Sequence, residues 1–284
     1  MQRILSTYRY VSQPLTPTLL TEIARAGVSG VEIFCSSYHF NYANPQSVRE
    51  LAGALHDCGL KLHSLHAPTE RDSSQGRGSG LPVSISEPER IRRQDAVDEV
   101  KRAIDVAEML PFRYLVQHLG SSRQAADSRN LDAAFGSLEH LAVFAKERGV
   151  TIALENTPSE IGAPASLLQF VKETHLRDLR FCFDVGHAHI DGAVDTNFGL
   201  MHDLVVTTHI HDNHGEKDEH LLPFEGTIDW DSALAGFASA PEPLPLVLEL
   251  KETSPGSPSL DQIRAAFDKL EKHLDEKRVS APRN

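Results

Sequence analysis

Residues 179–187 read LRFCFDVGH. The run is short, apolar and aromatic, which suits a buried strand better than a helix. It stops at Asp184, with His187 three residues on. Seven other runs share its character: RILSTY (3–8), GVEIF (30–34), KLHSLHA (61–67), RYLVQHL (113–119), VTIALEN (150–156), LVVTTHIH (204–211) and PLVLELK (245–251). Between them lie amphipathic segments. SVRELAGALHDCG closes on Gly59 as a C-cap, and NLDAAFGSLEHLAVFAKERG closes on Gly149. EPERIRRQDAVDEVKRAIDVAEML is long and strongly periodic. SLDQIRAAFDKLEKHL supplies an eighth helix, with Ser259 or Asp261 near its N-cap.

Eight β-α units in 284 residues predict an α/β fold, a single (β/α)8 TIM barrel over 1–284 with its active site at the C-terminal mouth. An open doubly wound sheet is the competing topology, but no GxGxxG follows the first strand. Residues 68–90, PTERDSSQGRGSGLPVSISEPER, are rich in Ser, Gly and Pro. They read equally as a flexible loop or as a lid after the third strand. Residues 277–284 read as a tail.

Composition narrows the function. A net charge of −12 argues against a nucleic-acid partner, which favours basic surfaces. Three widely spaced cysteines, Cys35, Cys58 and Cys182, read as reduced thiols. The N-terminal residues lack the apolar core of a signal peptide, and no apolar run approaches the roughly 20 residues that span a bilayer. A cytoplasmic protein without a membrane partner is expected.

In a barrel of this kind, chemistry sits where the strands end. The second strand ends near Glu32 and Phe34, the third at His66, the fourth at His118 and the fifth at Glu155. The sixth ends at Asp184 with His187 following, the seventh at His209 and His211, and the eighth at Glu249. Six consecutive strands thus end in an imidazole or a carboxylate. Converging acids would repel one another unless a cation compensates them. Mixed His/Asp/Glu donors suit a divalent ion, Zn²⁺, Mn²⁺, Mg²⁺, Fe²⁺ or Co²⁺, one or more per chain. Residues 208–220, THIHDNHGEKDEH, add four histidines and four carboxylates. Here His211 shares a strand face with His209, and His214 and Glu216 read as solvated. Tyr38, His39, Phe40 and Tyr42 read either as an aromatic wall for substrate or as ordinary loop packing. Lys251 reads as a surface lysine and His63 as core.

LENT, FDVGHAHIDG, HIHDNHGEKDEHLLPFEGTIDW and LVLELK together resemble the xylose isomerase-like TIM-barrel superfamily, which joins sugar isomerases and epimerases to nucleases of the endonuclease IV type. The resemblance implies a metal core of Glu155, Asp184, His209 and Glu249, with Glu155 and Glu249 also acting as acid and base in the epimerase branch. There His187 contacts substrate. In the nuclease branch it is a ligand, and further ligands match His66, His118, Asp218 and His220. Pairing into a homo-oligomer is also implied. The preferred reading is a divalent-metal-dependent isomerase or epimerase of a small carbohydrate, a sugar, sugar phosphate or keto-sugar. The alternative is a multi-zinc phosphodiester hydrolase. The full set of candidate ligands favours the alternative, whereas the acidic balance and the scarcity of basic residues in the mouth loops, beyond Arg71 and Arg77, oppose it.

Overall fold

The structure, a computed structural model, describes residues 1–71, 80–121, 124–252 and 257–280. Eight parallel strands run in chain order around a ring: β1 (Arg3–Ser6), β2 (Gly30–Phe34), β3 (Lys61–His66), β4 (Tyr114–His118), β5 (Thr151–Glu155), β6 (Arg180–Asp184), β7 (Val205–His209) and β8 (Leu246–Leu248), with β8 pairing β1. A parallel bridge between Ile210 and Leu248 closes the last gap. There the Ile210 N–H donates to Val247 O at 2.8 Å and the Glu249 N–H to Ile210 O at 3.2 Å. The expected eight-stranded TIM barrel is therefore what forms.

The helices are α1 (Pro17–Ala24), α2 (Pro45–Cys58), α3 (Arg90–Asp105), α4 (Ser128–Glu147), α5 (Pro164–Thr174), α6 (Val185–Asp191), α7 (Val194–Met201), α8 (Trp230–Ala238) and α9 (Leu260–Ser280). Gly59 ends α2 at φ 67°, a conformation that costs glycine nothing. Ser259 caps α9: its Oγ accepts the Gln262 N–H and the Gln262 side chain accepts the Ser259 N–H, a capping box. Two helices follow β6 because Asp184 caps α6 at once, accepting the His187 N–H at 2.7 Å. Among the described residues no helix is long and apolar enough to cross a membrane.

Strand alternation sorts the side chains into two environments. Ile152 and Leu154 of β5 and Phe181 and Phe183 of β6 join the main core between barrel and helices. Phe183 meets Phe198 of α7 and Phe237 of α8 at ring-centroid distances of 5.1 and 6.2 Å. Their neighbours Val116, Ala153 and Cys182 form a separate small cluster inside the ring. One period further along each strand stand His118, Glu155 and Asp184. The barrel's inner plug is thus a floor, and the polar strand ends rise from it.

The stretch 68–90 is more ordered at its base than its composition suggests. Glu70–Arg71 pairs antiparallel with Leu81–Pro82, and Ile85 is fully buried. Ser84 and Ser86 both donate to the Gln124 side chain. Residues 72–79, including Arg77, and the end of the 277–284 tail lie outside the described residues.

Candidate metal centre

Glu155 is the hub. It is 1% exposed, and its two oxygens serve different neighbours. Oε2 lies 3.0 Å from His118 Nε2 and 3.3 Å from His66 Nε2. Oε1 lies 3.1 Å from His209 Nδ1 and 3.4 Å from His187 Nδ1. Around the second oxygen gather Asp184, whose Oδ2 is 3.8 Å from His209 Nδ1, and Glu249, whose Oε2 is 3.6 Å from it. Asp184 reaches on to His211 Nε2, at 3.1 Å through Oδ1. Three adjoining donor groups result, the first two sharing Glu155: His66, His118 and Glu155; Glu155, Asp184, His209 and Glu249; and His187, His211, Asp218 and His220. Within each, the ligand atoms all lie within 4.8 Å of one another. All ten residues singled out from the sequence are brought together here.

The rings are oriented from behind. His66, His187 and His220 each donate Nδ1–H to a backbone carbonyl, of Ala67 at 2.8 Å, Asn156 at 2.9 Å and Glu249 at 2.9 Å. That turns Nε2 of each ring toward the carboxylates of the site, His66 toward Glu155 and His187 and His220 toward Asp218. His209 is turned the other way. Its Nε2 meets Glu32 Oε1 at 2.9 Å, and Ser64 donates to the other Glu32 oxygen at 2.7 Å. Glu32 was legible only as a strand end; its support of His209 depends on a contact across the barrel. Glu32→Gln is expected to weaken divalent-metal affinity about 10–100-fold. Competition against a chromophoric chelator measures this, and unchanged affinity would remove Glu32 from the account.

The loop after β7 is folded around a second carboxylate that sequence reading passed over. Asp212 is fully buried. Its Oδ1 accepts the N–H groups of Asn213 and Ile228, and its Oδ2 those of Phe224 and the Trp230 indole. Asp212 and Leu221 also exchange backbone hydrogen bonds at 2.9 Å. The loop therefore doubles back and returns Asp218 and His220 to the mouth. His220 adopts φ 52°, a region histidine enters more readily than most residues. The Asp-Asn following two histidines was the available signal.

His39 and Tyr42 turn away from the mouth, to Gln13 O and to Glu99. The aromatic surface beside the site is instead Tyr8 and Phe34, 5.2 Å apart, with Tyr8 against His220 at 5.0 Å and Phe34 stacked on His66 at 4.5 Å. His63 bonds Thr207 within the barrel, the exposed His214 bonds Glu219, and Lys251 is exposed.

Burial alone would raise Glu155, but the His209 and His118 imidazoles hold its carboxyl well below the usual range. Burial likewise opposes charge on His209 and His187, yet the surrounding carboxylates lift both well above the ordinary value. His66 and His211 are raised on the same balance. Without metal the surrounding carboxylates favour the protonated rings, whereas a ligating ring must be neutral. Metal binding should therefore release protons, and affinity should rise with pH through the elevated range. Calorimetry of Zn²⁺ binding in buffers of different ionisation heat measures the release; none at neutral pH would contradict the charge balance.

The chain belongs to the xylose isomerase-like TIM-barrel family, whose model matches residues 20–273. Uncharacterized protein y4fM of Sinorhizobium fredii is 29% identical over 231 residues, 75% of this chain and 73% of the relative. A probable endonuclease 4 of Haloarcula marismortui is 29% identical over 192 residues, 60% of this chain and 68% of the relative. A solved D-tagatose 3-epimerase-like protein superposes with a TM-score of 0.80 at 22% identity, covering 98% of this chain and 99% of that one. That last likeness is one of fold.

Proposed function

We propose that this protein is a multi-metal hydrolase of phosphate esters, acting on a small sugar-like substrate. The observation that carries the reading is three adjoining donor groups, two of them sharing Glu155 and the third meeting them where His187 lies 3.4 Å from Glu155 and His211 3.1 Å from Asp184. The donor set fits divalent ions: imidazole and carboxylate atoms, almost all buried, with the second nitrogens of His66, His187, His209 and His220 already engaged. Ions held there would supply Lewis-acid polarisation, activation of water and charge neutralisation at the leaving oxygen. Glu155 would fix the spacing of neighbouring groups by giving one oxygen to each. His118, with 28% of its side chain exposed, marks the side that substrate reaches. Tyr8 and Phe34 would pack against the apolar face of a sugar ring. The net charge of −12 argues against a long polyanion. The relation to a probable endonuclease 4 supports ester hydrolysis. This reverses the order drawn from residues alone, which placed a sugar isomerase or epimerase first.

That second reading keeps one specific support: Glu155 and Glu249 both face His209 Nδ1, as an acid–base pair around one centre would. The two reactions leave different traces. Metal-loaded protein is incubated with sugar phosphates, ketoses and a short abasic oligonucleotide, in H₂¹⁸O and in D₂O. Phosphate-ester cleavage with ¹⁸O entering the phosphoryl product is expected. Deuterium entering a substrate carbon without ester cleavage would overturn the hydrolase reading in favour of the isomerase.

A further inference from the structure

We infer that the far end of the barrel carries a second binding site, for the phosphoryl group of a small anion, held by Arg113 and Arg180. The inference goes beyond the reaction at the mouth and does not depend on which reaction that is.

Where β4, β5 and β6 begin, a cavity of about 290 Å³ opens. Small-molecule sites run from roughly 300 Å³ upward, so it is of a size to hold a small metabolite. Arg113, Tyr114, Lys146, Thr151, Asp178 and Arg180 supply its polar lining. The strands explain its place. Side chains alternate, so Tyr114, Thr151 and Arg180 stand on the same inward faces as Val116, Ala153 and Cys182. In the ladders Tyr114 lies opposite Thr151, and Arg180 opposite Ala153, as one shared face requires. The same three strands end in His118, Glu155 and Asp184. Those ends lie about 13 Å further on, at roughly 3.3 Å per residue. The apolar cluster of Val116, Ala153 and Cys182 separates the two ends, so the cavity is distinct from the metal centre.

Charge is the second argument. The chain carries −12, yet three cations and one carboxylate line this cavity. That carboxylate, Asp178, is taken by Lys146 at 2.9 Å. Arg180 donates through Nη1 to the carbonyls of Arg177 and Leu179, at 2.9 and 2.8 Å. These bonds fix the guanidinium and leave its Nε and Nη2 edge for a ligand. Arg113 lies over the Tyr114 ring, its guanidinium carbon 5.1 Å from the centroid. Among the described residues neither arginine pairs with a carboxylate. Burial pushes the Tyr114 hydroxyl up, and the charges of Arg113 and Arg180 both oppose the shift, so the two guanidiniums flank one phenol.

Like charges gathered around one cavity repel, and a dianion between them removes the repulsion. The planar fork of a guanidinium matches the paired oxygens of a phosphoryl group. The hydroxyls of Tyr114 and Thr151 add neutral donors. The apolar lining of Val150, Ile152, Leu179 and Val206 suits the body of a small ester.

Calorimetric titration of the metal-loaded chain at fixed ionic strength tests this. The probes are inorganic phosphate and a hexose phosphonate, which cannot be hydrolysed. One equivalent is expected to bind away from the mouth. Arg113→Gln and Arg180→Gln should each weaken it about 10-fold or more, with the number of bound divalent ions unchanged. Glu155→Gln, which disturbs the mouth, should leave that affinity as it was. Tighter binding of the phosphonate assigns the site to an ester, and equal binding assigns it to free phosphate. Arg113 is exposed, so its variant should fold even if Arg180→Gln does not. Native affinity in Arg113→Gln, or chloride bound as tightly as phosphate, would overturn the site. Loss of all phosphate binding in Glu155→Gln would place the anion at the mouth and also overturn it, while leaving the hydrolase reading intact.

Discussion

Glu155→Gln is expected to lower kcat/KM on the order of 10³-fold or more, because it disturbs two donor groups at once. The amide is nearly the same size, so the barrel should survive. One carboxylate oxygen becomes an NH₂ that points donors at a cation position. Whichever way the amide turns, either the His66–His118 side or the His209 side loses its acceptor. Bound metal should fall in parallel, by at least one ion per chain. Steady-state kinetics and metal analysis on the folded variant check both. Full activity would contradict the role of Glu155 as the shared ligand.

Asp212→Ala is expected to cost about 3–5 kcal/mol of stability, since four donors lose their common acceptor in a dry interior. That corresponds to a fall in Tm of roughly 5–15 °C. The loop carrying Asp218 and His220 should loosen with it, so the metal-binding defect would exceed that of a residue that only packs. Trp230, the one tryptophan of the chain, bonds Asp212 directly and reports the change through its fluorescence. A variant with native Tm and native emission would show that Asp212 does not organise the loop.

Sequence and structure agree most closely where one-dimensional patterns have one-dimensional causes. Strand runs such as VTIALEN were legible because Ile152 and Leu154 face the helices while Ala153 and Glu155 face inward, a period of two. The strand ends came out a residue or two shorter, since β7 must stop at His209 for the chain to fold back around Asp212. Eight of the ten metal-site candidates were legible because each ends or directly follows a strand, whereas Asp218 and His220 came from the family resemblance alone. Other features depend on contacts between distant segments. Glu32 supports His209 across 177 residues of chain, and nothing local in GVEIF points to β7. The aromatic side chains after β2 could turn either way, and hydrogen bonds to Gln13 and Glu99 took His39 and Tyr42 inward. The return of Asp218 and His220 to the mouth rests on the hydrogen bonds that Asp212 accepts from Asn213, Phe224, Ile228 and Trp230.

The most direct measurement is the number of divalent ions held by the native chain after saturation with zinc and removal of the excess. More than one tightly bound ion per chain, falling when Glu155 is replaced, is the predicted result. A single ion, unaffected by loss of His66, His118, Asp218 or His220, would contradict the adjoining groups and with them the hydrolase.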